Sequence, residues 1–223
     1  MHLYAVARPN FHRRTWYGSR MSTSKPVGRP PVPGITDALL RAAERIMESE
    51  GFSKLSVDGL VTEVGTTRPT FYRRYSSIAH VAFEVIKLRF GTGTRVDTGS
   101  IRNDLIELQR EDVAMFSSPL LRNNLPGLLE SVRTDSEVRD LYRSSFIVPR
   151  RANVGDVIAA AVARGELPPA DTVDVEFVCD LLIGPVLARA VLPIEQPLDD
   201  RFARKSVDVA LTFLKNRMSA SVI

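Results

Sequence analysis

The sequence predicts an all-α protein of about nine helices, and three observations carry that reading. Apolar residues recur at helical spacing along most of the chain, oxygen-bearing caps precede these runs, and Gly or Pro follows them. No period-2 apolar run is long enough for a sheet, and no internal repeat is present. At 44% hydrophobic and 25% charged, the 223 residues supply enough apolar side chain for a sizeable core.

Residues 1–34 gather five prolines around Arg and Lys without apolar periodicity, so they are expected to form a disordered basic arm. Met21 is the expected physiological start, because the stretch before it has no helical or strand pattern. Helical character begins at Thr36, an expected cap, and Leu39, Ala43, Ile46 and Met47 follow at helical spacing until Gly51. Ser56 caps a second helix, in which Val57, Leu60, Val61 and Val64 lie at i, i+3, i+4 and i+7, and Gly65 ends it. Thr67 caps a third over 67–75, where Pro69 is tolerated because first-turn amides lack an intrahelical partner. A fourth starts at Ser76 or Ser77 and runs to about Phe90, before the linker "GTGTRVDTGS".

Beyond that linker the pattern gives five further pieces, at 101–116, 120–132, 136–164, 172–191 and 199–216. Pro149 should kink or break the third of these, and "RGELPPAD" stops it and supplies Asp171 as the next cap. Three domains are expected: the arm 1–34, a short-helix domain over 35–91, and a second helical domain over 100–217.

Charge is distributed unevenly, at +6 over residues 1–34, +1 over 35–92 and −3 over 93–223. A basic N-terminal part suits a polyanion, although many solvated tails are equally basic. No run approaches the roughly 18 apolar residues of a membrane span, and no secretory signal is visible, so a cytoplasmic protein is expected. Cys179 is the single cysteine, which excludes an intramolecular disulfide and fits a small buried hydrophobe. No metal site or cofactor is expected. His2 and His12 lie in the arm, and His80 has no carboxylate or cysteine at ligand spacing. There is no Gly-rich phosphate loop and no G-x-S-x-G, so an enzyme is not expected.

"VGTTRPTFYRRY", residues 64–75, places a glycine turn before a short helix crowded with aromatics and arginines. Two short helices joined in this way make a helix-turn-helix, whose second helix enters the major groove. Phe71 and Tyr75 can pack on the second helix, leaving Thr70, Tyr72, Arg73 and Arg74 facing outward with Arg68 and Pro69 at the tip. Arginine can grip guanine or phosphate, threonine can touch a thymine methyl, and tyrosine can donate to phosphate. An amphipathic helix with a basic solvated face has the same pattern.

The stretch "LLRAAERIMESEGFSKLSVDGLVTEVGTTRPTFYRRYSSIAHV" (39–81) resembles the DNA-binding domain of the tetracycline-repressor (TetR) family. The paired alanines, Gly-Phe, Ser-Val, Val-Gly-Thr-Thr and Thr-Phe-Tyr-x-x-Tyr all fall in register. The resemblance implies a homodimeric regulator that binds a palindromic double-stranded operator, most often as a repressor released by a small-molecule effector. It puts the DNA contacts on Ser56, Thr67, Arg68, Pro69, Thr70, Tyr72, Arg73 and Arg74. Ile78 stands where many members have a phosphate-approaching lysine, so amides near Ser76 and Ser77 would have to substitute. "VGRPP" resembles arms that lay an arginine, here Arg29, in a minor groove; a cationic tail without a specific role is the alternative.

In the C-terminal part, 173–192 is apolar nearly all round, which calls for burial on two sides. A dimer interface through 172–191 and 199–216 is expected, with Leu182 and Val186 in it. A cavity for a small apolar effector is expected among 101–164, walled by Met115, Phe116, Leu120, Leu125, Leu128, Leu129, Tyr142 and Phe146. No polar cluster nominates a ligand class. Coupling to DNA is expected through the fourth helix, at Val85 and Leu88. The alternative to an effector-controlled repressor is a helical interaction or regulator protein without a small-molecule effector.

Overall fold

The structure, a computed structural model, describes residues 34–168, 173–192 and 196–220; Met21, Arg29 and Asp171 lie outside them. Every regular element among the described residues is helical. The N-terminal helices are α1 (Ile35–Ser49), α2 (Val57–Val64), α3 (Arg68–Tyr72) and α4 (Ile78–Phe90), with a 3₁₀ turn at Phe52–Lys54. They are followed by α5 (Ile101–Ser117), α6 (Pro119–Thr134), α7 (Ser136–Tyr142), a π turn (Arg143–Ile147) and α8 (Val148–Ala163). The last two are α9 (Val175–Val191) and α10 (Asp200–Ala220).

Two expected caps are made where Ser56 accepts from the Gly59 amide (3.1 Å) and Ser77 from His80 (3.1 Å), and Asp199, ahead of α10, accepts from Phe202 (2.8 Å). Thr36 is different: α1 starts one residue after Gly34, whose φ of 89° is left-handed, and Thr36 lies inside the first turn. Capping of α9 falls to Asp174, which accepts from the Phe177 amide at 3.0 Å.

Pro149 neither breaks nor ends its helix. The residues bounding the π turn, Tyr142, Arg143, Ile147 and Val148, keep right-handed dihedrals, so α7, the π turn and α8 form one continuous path, and nine helical pieces result among the described residues. The π turn ends at Ile147, two residues before the proline, where a widened turn accommodates a residue that has no amide to give and whose ring crowds the preceding turn.

Two apolar cores organise the molecule. One joins Leu39, Ala43 and Met47 of α1, Leu60 and Phe71 of α2 and α3, and Phe83 of α4 to Phe116, Leu125 and Phe146 further along the chain. The other joins Leu105, Val157, Val178, Leu182, Val207 and Leu211, on α5, α8, α9 and α10. The first core therefore continues past the linker at 91–100. Two close contacts fasten α6 to α1 and the 3₁₀ turn. Asn124 Nδ2 donates to the Met47 carbonyl (2.9 Å), and Gly127 lies so near Phe52 that an added Cβ would stand 2.4 Å from its ring.

The apolar surface of α9 is only partly used inside the subunit. Val178, Cys179, Leu182 and Val186 are buried, whereas Phe177, Val191 and Leu192 are exposed, as is Val209 on α10. Leu182 and Val186 therefore face the subunit's own interior, contrary to the expectation that they lie in a dimer interface. Periodicity could not separate the two faces because both are apolar.

Candidate nucleic-acid interface and cavity

The turn between α2 and α3 needs a left-handed residue, and Gly65 supplies it at φ 68°, ψ 37°. The Thr66 amide then reaches back to the Val61 carbonyl (2.8 Å), closing α2 in a Schellman-type arrangement. Thr67 restarts the chain as a cap, accepting from the Thr70 amide at 3.4 Å, with Pro69 in the first turn.

The α-helical part of this segment ends at Tyr72, earlier than the expected 67–75. The Arg74 amide bonds to the Phe71 carbonyl (2.8 Å), tightening the last turn, and Tyr75 is carried inward. Phe71 is fully buried and Tyr75 nearly so, as their spacing requires if they pack on Leu60 and Val61. Burial pushes the Tyr75 phenol up from its usual range. Ser56, Thr67, Arg68, Pro69, Tyr72 and Arg73 are exposed, while Thr70 and Arg74 are half-buried. Ile78 is also partly buried, packed against the first core rather than offered to solvent.

The three arginines are in different situations. Arg73 is exposed and, among the described residues, hydrogen-bonds through its side chain to the Thr70 hydroxyl, at 3.0 Å. Arg74 is tied inward, donating through Nε to Thr36 on α1 (3.1 Å) and through Nη1 to the Thr70 carbonyl (2.9 Å). It closes α3 and fastens it to α1, which the sequence reading missed when it faced Arg74 outward. Arg68 makes a two-pronged ion pair with Asp58 on α2, and its hydrogen bonds hold the Asp58 carboxyl below the usual range. Asp58 was not foreseen as part of this surface. Its signal was an acidic residue in the first turn of the helix that precedes the basic one.

A cavity of about 100 Å³ lies among α4, α5, α6, α7, the π turn, α8 and α9. Phe116, Leu125, Leu129, Tyr142 and Phe146 line it, with Met115 and Leu128. Leu120 does not; it is buried in the first core, and its neighbour Leu121 takes the wall. Helix α4 contributes Phe83 and Ile86, Phe83 meeting Tyr142 and Phe146 with ring centroids 5.4 and 5.6 Å apart. Leu88, expected to couple the two halves, is 69% exposed. Val85 lies with Leu88 and Arg41 in a groove between α4 and α1.

The cavity also has polar residues on its wall, which the sequence did not bring together as a cluster. Arg150 donates to Asp112 at 2.7 Å, and Gln109 donates to the Leu182 carbonyl at 2.9 Å. Burial pushes the Asp112 carboxyl up to about 6 despite the opposing charge of Arg150. It likewise raises the Tyr142 phenol and pushes the Cys179 thiol up to about 11, leaving that thiol protonated at neutral pH. A signal for these residues existed. Gln109 and Asp112 fall on the apolar stripe of α5 between Leu105, Leu108 and Met115.

No group of three or more His, Cys, Asp or Glu able to hold a metal ion occurs among the described residues. No described helix is long and apolar enough to cross a membrane.

Known proteins share both halves of this arrangement. Residues 39–85 match the model for bacterial regulatory proteins of the tetR family, and residues 95–210 match that of a tetracyclin repressor-like C-terminal domain. The uncharacterized HTH-type transcriptional regulator YdeS of Bacillus subtilis (strain 168) is 25% identical over 181 residues, covering 81% of this chain and 89% of that protein. The DNA-binding transcriptional repressor TetR of Mycobacteroides abscessus is 28% identical over 184 residues, covering 79% and 92% respectively. The crystal structure of the TetR family transcription regulator SCO0332 aligns with a TM-score of 0.61 at 26% identity, over 78% of this chain and 94% of that one. With more than half of its length matched by the C-terminal domain model and its helix-turn-helix by the other, the chain belongs to the tetR family of DNA-binding transcriptional regulators.

Proposed function

We propose that the protein is a repressor that binds a palindromic operator as a homodimer and is released when a small, largely apolar effector enters the cavity. The carrying observation is that α4 belongs to both parts. It packs against α1 in the first core, and its Phe83 and Ile86 line the cavity. An effector that prefers a different α4 position would change the spacing of the two reading helices in a dimer. In this reading residues 35–91 bind DNA, and 100–217 dimerise and hold the effector.

On DNA, Arg68, Thr70, Tyr72 and Arg73 meet bases or phosphates, with Ser56, Thr67 and Pro69 at the helix starts. Arg74 orients α3 in addition to any phosphate it reaches. The dimer forms through the exposed apolar residues of α9 and α10, including Phe177 and Val209. Selection of bound DNA from a random pool, followed by a screen of small molecules for release, tests the whole reading. An inverted repeat with half-sites about one helical turn apart is expected. Selection of no sequence ends the DNA half, and failure of every apolar compound to release the site ends the effector half. One observation favours a regulator without an effector: about 100 Å³ is below the roughly 300–1,000 Å³ of drug-sized ligand pockets.

A further inference from the structure

We propose that the cavity selects neutral, single-ring molecules that carry one hydrogen-bond acceptor oxygen, such as an aryl ketone, with Arg150 Nε as the selecting donor. This rests on the reading of the cavity as an effector site and names the ligand class. Among the described residues, the Arg150 Nε is buried and has no hydrogen-bond partner, although the rest of its guanidinium is engaged. Nη1 donates to Asp112 (2.7 Å), while Nη2 reaches the Gly91 carbonyl (3.3 Å) and the Met115 sulfur (3.4 Å). Arg150 is one of the residues that line the cavity; buried N–H groups are nearly always paired in folded proteins, so this donor would gain a partner if a ligand brought an acceptor oxygen to that wall.

Charge decides against an anion. Both cations on the wall already face carboxylates, Arg150 with Asp112 and Arg151 with Glu176 and Asp180. A second anion beside Asp112 would leave an unbalanced negative charge where the Asp112 and Arg150 side chains are only 18% and 17% exposed. Size points to one ring. A cavity of about 100 Å³ is of the order of the roughly 150 Å³ apolar cavity that accepts benzene, and Phe83, Phe116 and Phe146 are among the residues that line it.

The test measures binding of acetophenone, ethylbenzene and benzoate to the full chain by calorimetry, with the Arg150 Nε–H followed by NMR. Acetophenone is expected to bind about 5- to 100-fold more tightly than ethylbenzene, because only it pairs the buried donor. It should also move the Nε–H proton downfield, as a new hydrogen bond does, and ethylbenzene should not. The preference should vanish in the double variant Arg150→Met/Asp112→Asn, which removes both members of the ion pair together. Equal or tighter binding of ethylbenzene, or tightest binding of benzoate, overturns the ligand class and leaves the effector site standing. Binding of none of the three overturns the ligand class, while the effector site falls only if no apolar compound of any size releases the selected operator; DNA binding is untouched in either case.

Discussion

Replacing Arg73 and Arg74 separately by alanine separates a DNA-reading role from a structural one within two adjacent residues. Arg73 is exposed, and among the described residues its side chain hydrogen-bonds to the Thr70 hydroxyl at 3.0 Å. Arg73→Ala should leave stability within about 0.5 kcal/mol of the parent, as for most surface substitutions. Its effect should appear on DNA: about 1–3 kcal/mol at one base position if it reads guanine, or a uniform loss with a salt slope flatter by about one unit if it holds phosphate. Arg74 instead gives two hydrogen bonds, to Thr36 (3.1 Å) and to the Thr70 carbonyl (2.9 Å). At about 0.5–1.5 kcal/mol each, their loss should cost roughly 1–3 kcal/mol. For a chain of this size that is a fall in melting temperature of about 2–12 °C. Thermal denaturation by circular dichroism, with fluorescence anisotropy on a selected operator at several salt concentrations, reads both quantities. The reasoning is refuted if Arg73→Ala destabilises as much as Arg74→Ala, or if Arg73→Ala binds the operator with unchanged affinity.

Asp58→Asn should raise affinity for duplexes of any sequence, because it removes a negative charge from the DNA-facing surface and releases Arg68 from its ion pair; titration of a random-sequence duplex would show this, and weaker binding would contradict it. Val209→Asp should give folded monomers, since Val209 is 57% exposed, whereas Leu182→Asp should unfold the subunit by placing a charge in its core. Light scattering beside far-ultraviolet circular dichroism distinguishes the two, and a Val209→Asp dimer would remove this residue from the interface. Asp112 has a folded pKa of about 6, above the roughly 3.9 of an unfolded aspartate, so its contribution to stability is fully present below about pH 3.9 and lost as pH rises through about 6. Wild type should therefore lose stability relative to Asp112→Asn between about pH 4 and 6 in urea denaturation, and parallel pH profiles would refute the shift.

What the sequence by itself determined was local. The helix order, the glycine turn at 65, the caps at Ser56, Thr67 and Ser77, and the inward turn of Phe71 and Tyr75 depend on residues within one or two helical turns of each other. These preferences act through backbone hydrogen bonds of fixed reach, so the string of residues contains them. The N-terminal motif was legible for the same reason. Tertiary structure alone decided which side chains pair at long range. Arg74 meets Thr36 across 38 positions, Arg150 meets Asp112 across 38, and Gln109 meets Leu182 across 73. Periodicity reports that a face is apolar or charged, but not what covers it. Hence Leu182 was misplaced in the dimer interface, Leu88 in the coupling helix contact and Leu120 in the cavity wall. The polar cavity wall was hidden for a related reason. A buried ion pair looks like two unrelated charges until the fold brings α5 and α8 together and withdraws them from water.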